Sequence, residues 1–257
     1  WRDLSLMEKL NVVADRLAKQ VLVAAVDNDS FIEPHFPFEQ MRVVVDGERV
    51  TGPVRAAVEL SWGTKAAREL YHEKDILHRD DFDLVDWDGV SRALPRFPKM
   101  FQVFVTKQTS KFCGTNRQLS RIDPTVQNVC PSCGQRDESS KHITRCADEG
   151  RVECWTRSVR EIARWIGETT HNLYLSDMVQ SYLLARDSAC MVEFAPIWDE
   201  DLLRLAEEHD RIGWDNFVEG RISCRYAHVV ASSFSSRGKY TPEKWSAELI
   251  SRLMQAT

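Results

Sequence analysis

Residues 130–146 read CPSCGQRDESSKHITRC, which places three cysteines and one histidine in the pattern Cys130-x2-Cys133-x8-His142-x3-Cys146. Three thiolates and one imidazole form a ligand set that is typical of closed, tetrahedral, structural zinc sites. Two cysteines three positions apart can bind one ion from a single tight turn. Two residues four positions apart lie on the same face of a helix. The spacing therefore predicts a Zn²⁺ site formed by these four side chains.

The site would be structural, because four protein ligands leave no coordination position for a reacting water. Zinc binding can contribute about 10–16 kcal/mol of apparent free energy to a segment too small to bury much apolar surface. Two other interpretations remain open at the sequence level. Cys113 or Cys154 could replace one ligand, or the four residues could be ordinary reduced cysteines and a surface histidine.

The composition sets limits on the class of protein. The chain has 257 residues, a net charge of −5, 43% hydrophobic and 28% charged residues, as in ordinary globular proteins. A net negative chain does not attract nucleic acid as a whole, so such binding would need a local basic patch. No apolar run approaches the roughly 18 residues of a membrane span. Of the seven cysteines, three lie in the motif and four are scattered along the chain. This pattern suits a reducing compartment, which predicts an intracellular protein, cytoplasmic or nuclear.

Hydrophobic periodicity predicts a mainly α fold with one β-hairpin. A helix is expected over 4–26, followed by a linker over 27–40. Asp46-Gly47 predicts a hairpin turn between strands 41–45 and 48–51. Further helices are predicted over the following ranges: 54–78, 98–112, 152–167, 172–186, 199–212, 214–232 and 241–255. We expect the acidic stretch 80–88 to be a solvated surface with helix-capping residues.

One part of the chain is basic although the whole is acidic. Between residues 96 and 146 there are nine Lys or Arg residues and three Asp or Glu residues. Aromatic side chains alternate with these cations, as they do on phosphate-binding surfaces. The residues predicted to bind nucleic acid are Lys99, Lys107, Lys111, Arg117, Arg121, Lys141 and Arg145. Alternatively, these cations form a solvated surface that pairs with the acidic stretch 80–88.

Residues 97–155 contain an aromatic helix, a Thr-Asn start to a short helix, a Cys-x2-Cys knuckle, an acidic residue four before the histidine and a closing cysteine, followed by a tryptophan. In this sequence these are Phe101, Phe104, Thr115, Asn116, Leu119, Cys130, Cys133, Glu138, His142, Cys146 and Trp155. With these features the region resembles the zinc-binding region that follows the polymerase and RNase H parts of reverse transcriptases in non-LTR retrotransposons. The resemblance covers less than a quarter of the chain.

A second resemblance concerns the run from Asn11 to Lys19, which is similar to the final helix of RNase H domains. It implies that Asp15 is the last carboxylate of a two-metal site, which would hold Mg²⁺ only if the rest of the domain lies before Trp1. We expect that the true beginning of the chain lies upstream of Trp1. The implied organisation is a truncated RNase H helix over 1–26, a linker, hairpin and helices over 27–95, the zinc module over 96–155, and a helical region over 156–257.

The function implied by these resemblances is binding of the retroelement's RNA or target DNA, which positions it for an upstream polymerase and RNase H. The chain itself contains no complete active site: it has no nucleophile–base pair, no Gly-rich phosphate loop and no HExxH motif. The alternative is a degenerate or domesticated helical module, stapled by zinc, that binds protein without catalysis. In the cluster Trp214-Asp215-Asn216-Phe217, we expect Asp215 to cap a helix while both aromatic rings are buried.

Overall fold

The structure is a computed structural model, and it describes residues 16–17, 43–234 and 240–256. Arg16 and Leu17 are helical, but the rest of the helix predicted over 4–26, the linker over 27–40 and Asp15 lie outside the described residues. The chain divides into two compact units, Trp1–Thr64 and Lys65–Thr257. The zinc motif and the helices that follow it both belong to the second unit.

The predicted β-hairpin is present. Strand β1 (Val44–Val45) pairs antiparallel with strand β2 (Glu48–Arg49). Asp46 and Gly47 in the turn both have positive φ angles, of 54° and 85°. Positive φ at both central residues is the requirement of a type I′ turn, which explains the Asp-Gly sequence. Helix α1 (Val54–Glu73) follows the hairpin.

The second unit is built from helices, and the mainly α class is confirmed. Ten α-helices follow α1 in the described part of the chain: α2 (Trp87–Ala93), α3 (Lys99–Thr109), α4 (Asn116–Leu119), α5 (Ser140–Arg145), α6 (Glu149–Thr170), α7 (Leu173–Ala185), α8 (Glu200–Ile212), α9 (Trp214–Val218), α10 (Arg225–Val230) and α11 (Pro242–Ala256). Short 3₁₀ segments cover Arg79–Leu84, Leu94–Arg96, Met191–Phe194 and Ala231–Ser233.

Side-chain caps fix where the long helices begin. Asp148, Asn172 and Asp199 precede α6, α7 and α8, and each accepts a hydrogen bond from the backbone N–H three residues later. Such caps satisfy N–H groups that have no partner within the helix. Helices α6 and α7 each end at a residue in the left-handed conformation, His171 and Arg186. The order and approximate length of these helices therefore follow from local sequence.

The main core lies between α6, α7 and α11, and α11 also packs against α2 and α10. Trp245 of α11 is fully buried and stacks on Trp165 of α6, with ring centroids 5.0 Å apart. Its indole Nε1 donates to Thr169 Oγ1 at 2.8 Å. A buried indole of this kind combines a large apolar area with one satisfied polar group. A smaller apolar cluster contains Leu77, Phe82, Val85 and Ile212.

The single helix predicted over 214–232 is wrong, because α9 ends at Val218 and α10 begins only at Arg225. Gly220 lies between them with a φ of 86°, a conformation that ends a helix. Arg221 is 3% exposed and pairs with the carboxylate of Glu219. A buried ion pair between the two helices is a tertiary feature that periodicity does not reveal.

The acidic stretch 80–88 is solvated only in part. Asp86 caps α2, as expected, by accepting from the N–H of Gly89. Asp81, in contrast, is buried and pairs with Arg211 of α8 at 2.5 Å, while Asp83 pairs with Arg68. Arg68 and Arg211, which pair with carboxylates of this stretch, both lie outside the basic segment 96–146.

Candidate metal centre and basic cleft

The four predicted zinc ligands lie together. Cys130 Sγ, Cys133 Sγ, Cys146 Sγ and a ring nitrogen of His142 are all within 4.8 Å of one another. Cys130 Sγ lies 3.8 Å from Cys146 Sγ, and Cys133 Sγ lies 3.4 Å from His142 Nε2. A tetrahedral zinc with ordinary bond lengths would place such atoms about 3.8 and about 3.6 Å apart. The donor set and its spacing therefore fit a metal ion such as zinc, and Cys113 and Cys154 lie outside the group.

A tight turn presents the first two cysteines. The backbone N–H of Cys130 donates to Gln135 O at 2.8 Å, and the N–H of Gly134 donates back to Cys130 O at 2.9 Å. Gly134 has a φ of 72°, which glycine adopts without steric cost. Val129 and Arg136 form an antiparallel bridge at the base of the turn. This geometry turns Cys130 and Cys133 toward one point.

Helix α5 presents the other two ligands. Ser139 caps it, and its hydroxyl accepts from the N–H of His142 at 3.3 Å. His142 therefore lies in the first turn, and Cys146 follows directly after the last residue of α5. One turn of helix separates them along one face, as the spacing predicted.

Electrostatics favours a thiolate at Cys130. Burial raises the pKa of this thiol, but the N–H groups of Cys133 and Ser132 and the side chain of His142 act in the opposite direction, and the pKa falls to about 6. Burial raises the pKa of the Cys146 thiol. Because the thiolate is the metal ligand, the lowered pKa of Cys130 favours metal binding, whereas burial of Cys146 opposes its ionisation.

Two further residues of the resemblance support the metal centre. Asn116 donates from Nδ2 to the carbonyl of Val129, next to Cys130, at 2.7 Å. The buried carboxylate of Glu138 accepts from the backbone N–H of Asn116 at 2.8 Å. Helix α4 is thereby fixed to the turn that carries the first cysteines. On the other side, Arg186 donates to the carbonyls of Thr144 and Cys146, which fixes α5 to the end of α7.

The region around the metal centre has almost no apolar core of its own. Every residue from 106 to 154 is described, and none of them belongs to either apolar cluster. Cys130 and Cys146 are the buried hydrophobic side chains within this range. Hydrogen bonds alone contribute little net stability, so a metal held by the four side chains would contribute a large share of the stability of this segment.

Four of the seven cations predicted to bind nucleic acid converge on one cleft of about 320 Å³ beside the metal centre. The cleft is lined by Lys111, Thr115, Arg117, Gln118, Arg121, Ser139, Ser140 and Lys141. No acidic side chain is among these residues. The sequence did not indicate the polar residues of the walls, because hydroxyl and amide side chains carry no spacing signal.

The other three predicted cations do not line this cleft. Lys99 and Lys107 lie on α3, and neither has an ion pair among the described residues. Arg145 pairs with Asp187 and Asp215, at 2.6 Å in both cases, and its guanidinium lies over the Trp214 ring. Arg145 therefore links α5 to the helical core. The expectation that Asp215 caps a helix is wrong, since Gly213 occupies that position.

The cations of the cleft differ in their partners. Lys111 Nζ donates to the carbonyls of Lys74 and Asp75 at 2.9 and 2.8 Å. Burial, followed by the charge of Lys141, lowers the pKa of Lys111. Lys141 pairs with Asp215 at 2.7 Å, and Arg117 pairs with Asp137 at 3.0 Å. Arg121 has only a long hydrogen bond to Gln118 among the interactions of the described chain.

No family model, curated protein or solved structure matches this chain. Across the part of the chain that the structure describes, every helix is too short or too polar to cross a lipid bilayer.

Proposed function

We propose that the region around Cys130–Cys146 is a structural zinc module that binds nucleic acid through the adjacent basic cleft. The observation that carries the proposal is the convergence of Lys111, Arg117, Arg121 and Lys141 on one cleft without an acidic wall residue. Backbone phosphates are the anions that such a cluster of cations binds in sequence-independent recognition. The local excess of positive charge is consistent with this in a chain whose net charge is −5.

The metal supports this function by ordering both walls of the cleft. Ser139, Ser140 and Lys141 precede the ligand His142 directly in the chain. Thr115 and Arg117 flank Asn116, whose hydrogen bonds join α4 to the cysteine turn. Zinc would therefore supply cross-linking rather than chemistry, with all four coordination positions taken by protein.

We further propose that the chain is part of a retroelement polyprotein, where it holds RNA or target DNA for an upstream polymerase. The support is that Asn116 and Glu138, which carry the sequence resemblance, are the residues that brace the metal centre. The role of Asp15 as an RNase H carboxylate, and with it any Mg²⁺, stays a prediction.

A filter-binding titration of the 257-residue chain with a single-stranded oligonucleotide, repeated over a range of salt concentrations, tests the function. The logarithm of the affinity should fall linearly with the logarithm of salt, with a slope of about −0.7 for each phosphate contacted. Arg121→Gln should reduce the magnitude of this salt slope by about 0.7. Lys244 is an exposed lysine outside the cleft, so Lys244→Gln should leave the slope unchanged. Absence of binding, or affinity independent of salt, would refute the proposal.

One observation favours the alternative, a protein-binding module without nucleic acid. Trp198 and Tyr174 are 72% and 56% exposed and contact each other edge to face, with the exposed Ile197 and Leu173 beside them in sequence. Exposed aromatic side chains are common at protein interfaces. Trp214 and Phe217 are buried, as expected, and are not available for this role. The alternative predicts zinc-dependent folding without salt-dependent oligonucleotide affinity.

A further inference from the structure

Lys141 lies between two cavities of different character. It lines the basic cleft and also a smaller polar cavity of about 30 Å³, which is lined in part by Asp215, Glu219 and Arg221. In the structure its ammonium group contacts the carboxylate of Asp215. The Lys141 side chain is 56% exposed and the Asp215 side chain is 26% exposed. The lysine thus lies at the boundary between an acidic partner and a cleft without one.

Asp215 does not depend on Lys141 for its charge balance. Its second carboxylate oxygen contacts Arg145, at 2.6 Å, and that guanidinium is also held by Asp187 and the Trp214 ring. If the lysine moved away, Asp215 would keep a cation in contact. Since exposed ion pairs contribute little net free energy, the lysine can leave at small cost.

Lys111 also lines both cavities, but it is fixed in a different way. Two backbone carbonyls hold its ammonium group, and no carboxylate lies within contact distance in the described structure. Burial and the charge of Lys141 lower the pKa of Lys111, while the nearby carboxylates of Asp75, Glu219 and Asp215 act in the opposite direction. The direct contacts of this ammonium group are neutral carbonyls, and the carboxylates act on it from a distance. A phosphate in the cleft would give it an anion in direct contact.

We propose that the cleft binds a backbone phosphodiester between Lys111 and Lys141, and that Lys141 exchanges its contact with Asp215 for the phosphate. Asp215 then acts as an internal competitor that occupies Lys141 in the free protein. This inference rests on the proposed function and adds which residues bind the phosphate and what opposes binding.

The walls contain no aromatic side chain. They consist of four cations, three hydroxyl side chains and one amide. Among these residues, the guanidinium planes of Arg117 and Arg121 are the groups on which a base could stack. Because the cations bind phosphates of any sequence, most of the affinity is expected to come from the sugar–phosphate backbone.

The test is a double-mutant cycle on the full chain, read by fluorescence anisotropy with a labelled single-stranded oligonucleotide of one repeated base. Asp215→Asn should tighten binding about two- to fivefold, because it removes the competitor of Lys141. Asp187→Asn is the matched control: it removes an equal charge that contacts Arg145 but neither Lys141 nor the cleft. In a Lys141→Gln background, Asp215→Asn should leave the affinity unchanged.

Other outcomes distinguish failure of this inference from failure of the proposed function. Equal tightening by Asp215→Asn and Asp187→Asn, or a gain that persists without Lys141, would overturn the exchange while leaving nucleic-acid binding intact. Absence of salt-dependent binding in the unmodified protein would overturn both. Zinc content and thermal midpoint of each variant identify any loss of fold. Lys141→Gln alone should also reduce the salt slope by about 0.7, and an unchanged slope would refute its contact with phosphate.

Discussion

His209 is fully buried in the second unit, where its ring contacts Phe217 and Tyr226. Its Nε2 accepts a hydrogen bond from the N–H of Ser223, and burial lowers the pKa of the imidazole from 6.5 to about 3. The folded protein therefore holds this histidine neutral. The unfolded chain takes up a proton below about pH 6.5. The stabilising contribution is complete above that pH and is lost as the pH falls toward 3.

His209→Gln should make stability less dependent on pH. Glutamine retains an acceptor for Ser223 but does not titrate, so the variant lacks this source of acid sensitivity. Between pH 7 and pH 5 the original protein should lose about 2 kcal/mol more unfolding free energy than the variant. Urea unfolding at both pH values measures the difference. Metal release in acid affects both proteins, so equal losses would show that His209 is not the cause.

At the scale of elements, the break between α9 and α10 depends on Gly220. Its φ of 86° is unfavourable for other residues, and a Cβ there would lie 2.9 Å from Met254 Cε and 3.1 Å from Ile250 Cγ2 on α11. Gly220→Ala should therefore destabilise the protein by about 1–3 kcal/mol.

Gly63, within α1, has open space around the position of a Cβ. Gly63→Ala should stabilise by up to about 1 kcal/mol, and thermal unfolding that showed the same sign for both variants would contradict the argument.

The same break shows which parts of this structure were readable from sequence. Caps, turn residues and apolar periodicity act within a few residues, so the hairpin at Asp46-Gly47 and helices such as α6 and α8 were correctly predicted. The helix predicted over 214–232 was wrong because Gly220 lies close to α11, and because Glu219 and Arg221 line a polar cavity with residues far away in sequence, such as Asp75. A sequence pattern over a few residues carries no information about contacts with residues that are distant in the chain.

The candidate site, too, was only partly predictable from sequence. The proximity of the four Cys and His side chains was predicted from spacing, since a turn and one helical turn bring them together locally. The cleft could not be predicted as a unit, because Lys111 comes from the segment after α3 and Lys141 from α5, and their carbonyl and carboxylate partners come from residues 74, 75 and 215. The count of charged residues identified the basic segment, but it could not identify which of its cations are available to bind phosphate in the folded protein.

At the scale of the whole molecule, the metal region and the helical core are stabilised by different means. The core contains the stacked Trp165 and Trp245 and extends through α6, α7 and α11. The region 106–154 contributes no side chain to either apolar cluster. The chain runs directly from this region into α6, which begins at Glu149. The region is further linked to the core by the hydrogen bonds of Arg186 and by the contacts of Arg145 with Asp187, Asp215 and the Trp214 ring. A metal bound at the Cys/His cluster would therefore stabilise this region locally.

Metal removal should release the region around Cys130–Cys146 while leaving the core folded. A chelator, or Cys130→Ser, deprives the segment of its main cross-link, so backbone amides of α4 and α5 should lose most of their protection against hydrogen exchange. Amides of α6, α7 and α11 should stay protected, because apolar burial stabilises them independently of the ion. Oligonucleotide affinity should fall together with the order of α4 and α5, since both cleft walls belong to the released segment.

Cys154→Ser, at an exposed thiol outside the ligand group, is the matched control and should keep metal content, protection and affinity. Equal metal content in Cys130→Ser and Cys154→Ser would exclude the centre, and global unfolding on chelation would show that the core depends on the metal.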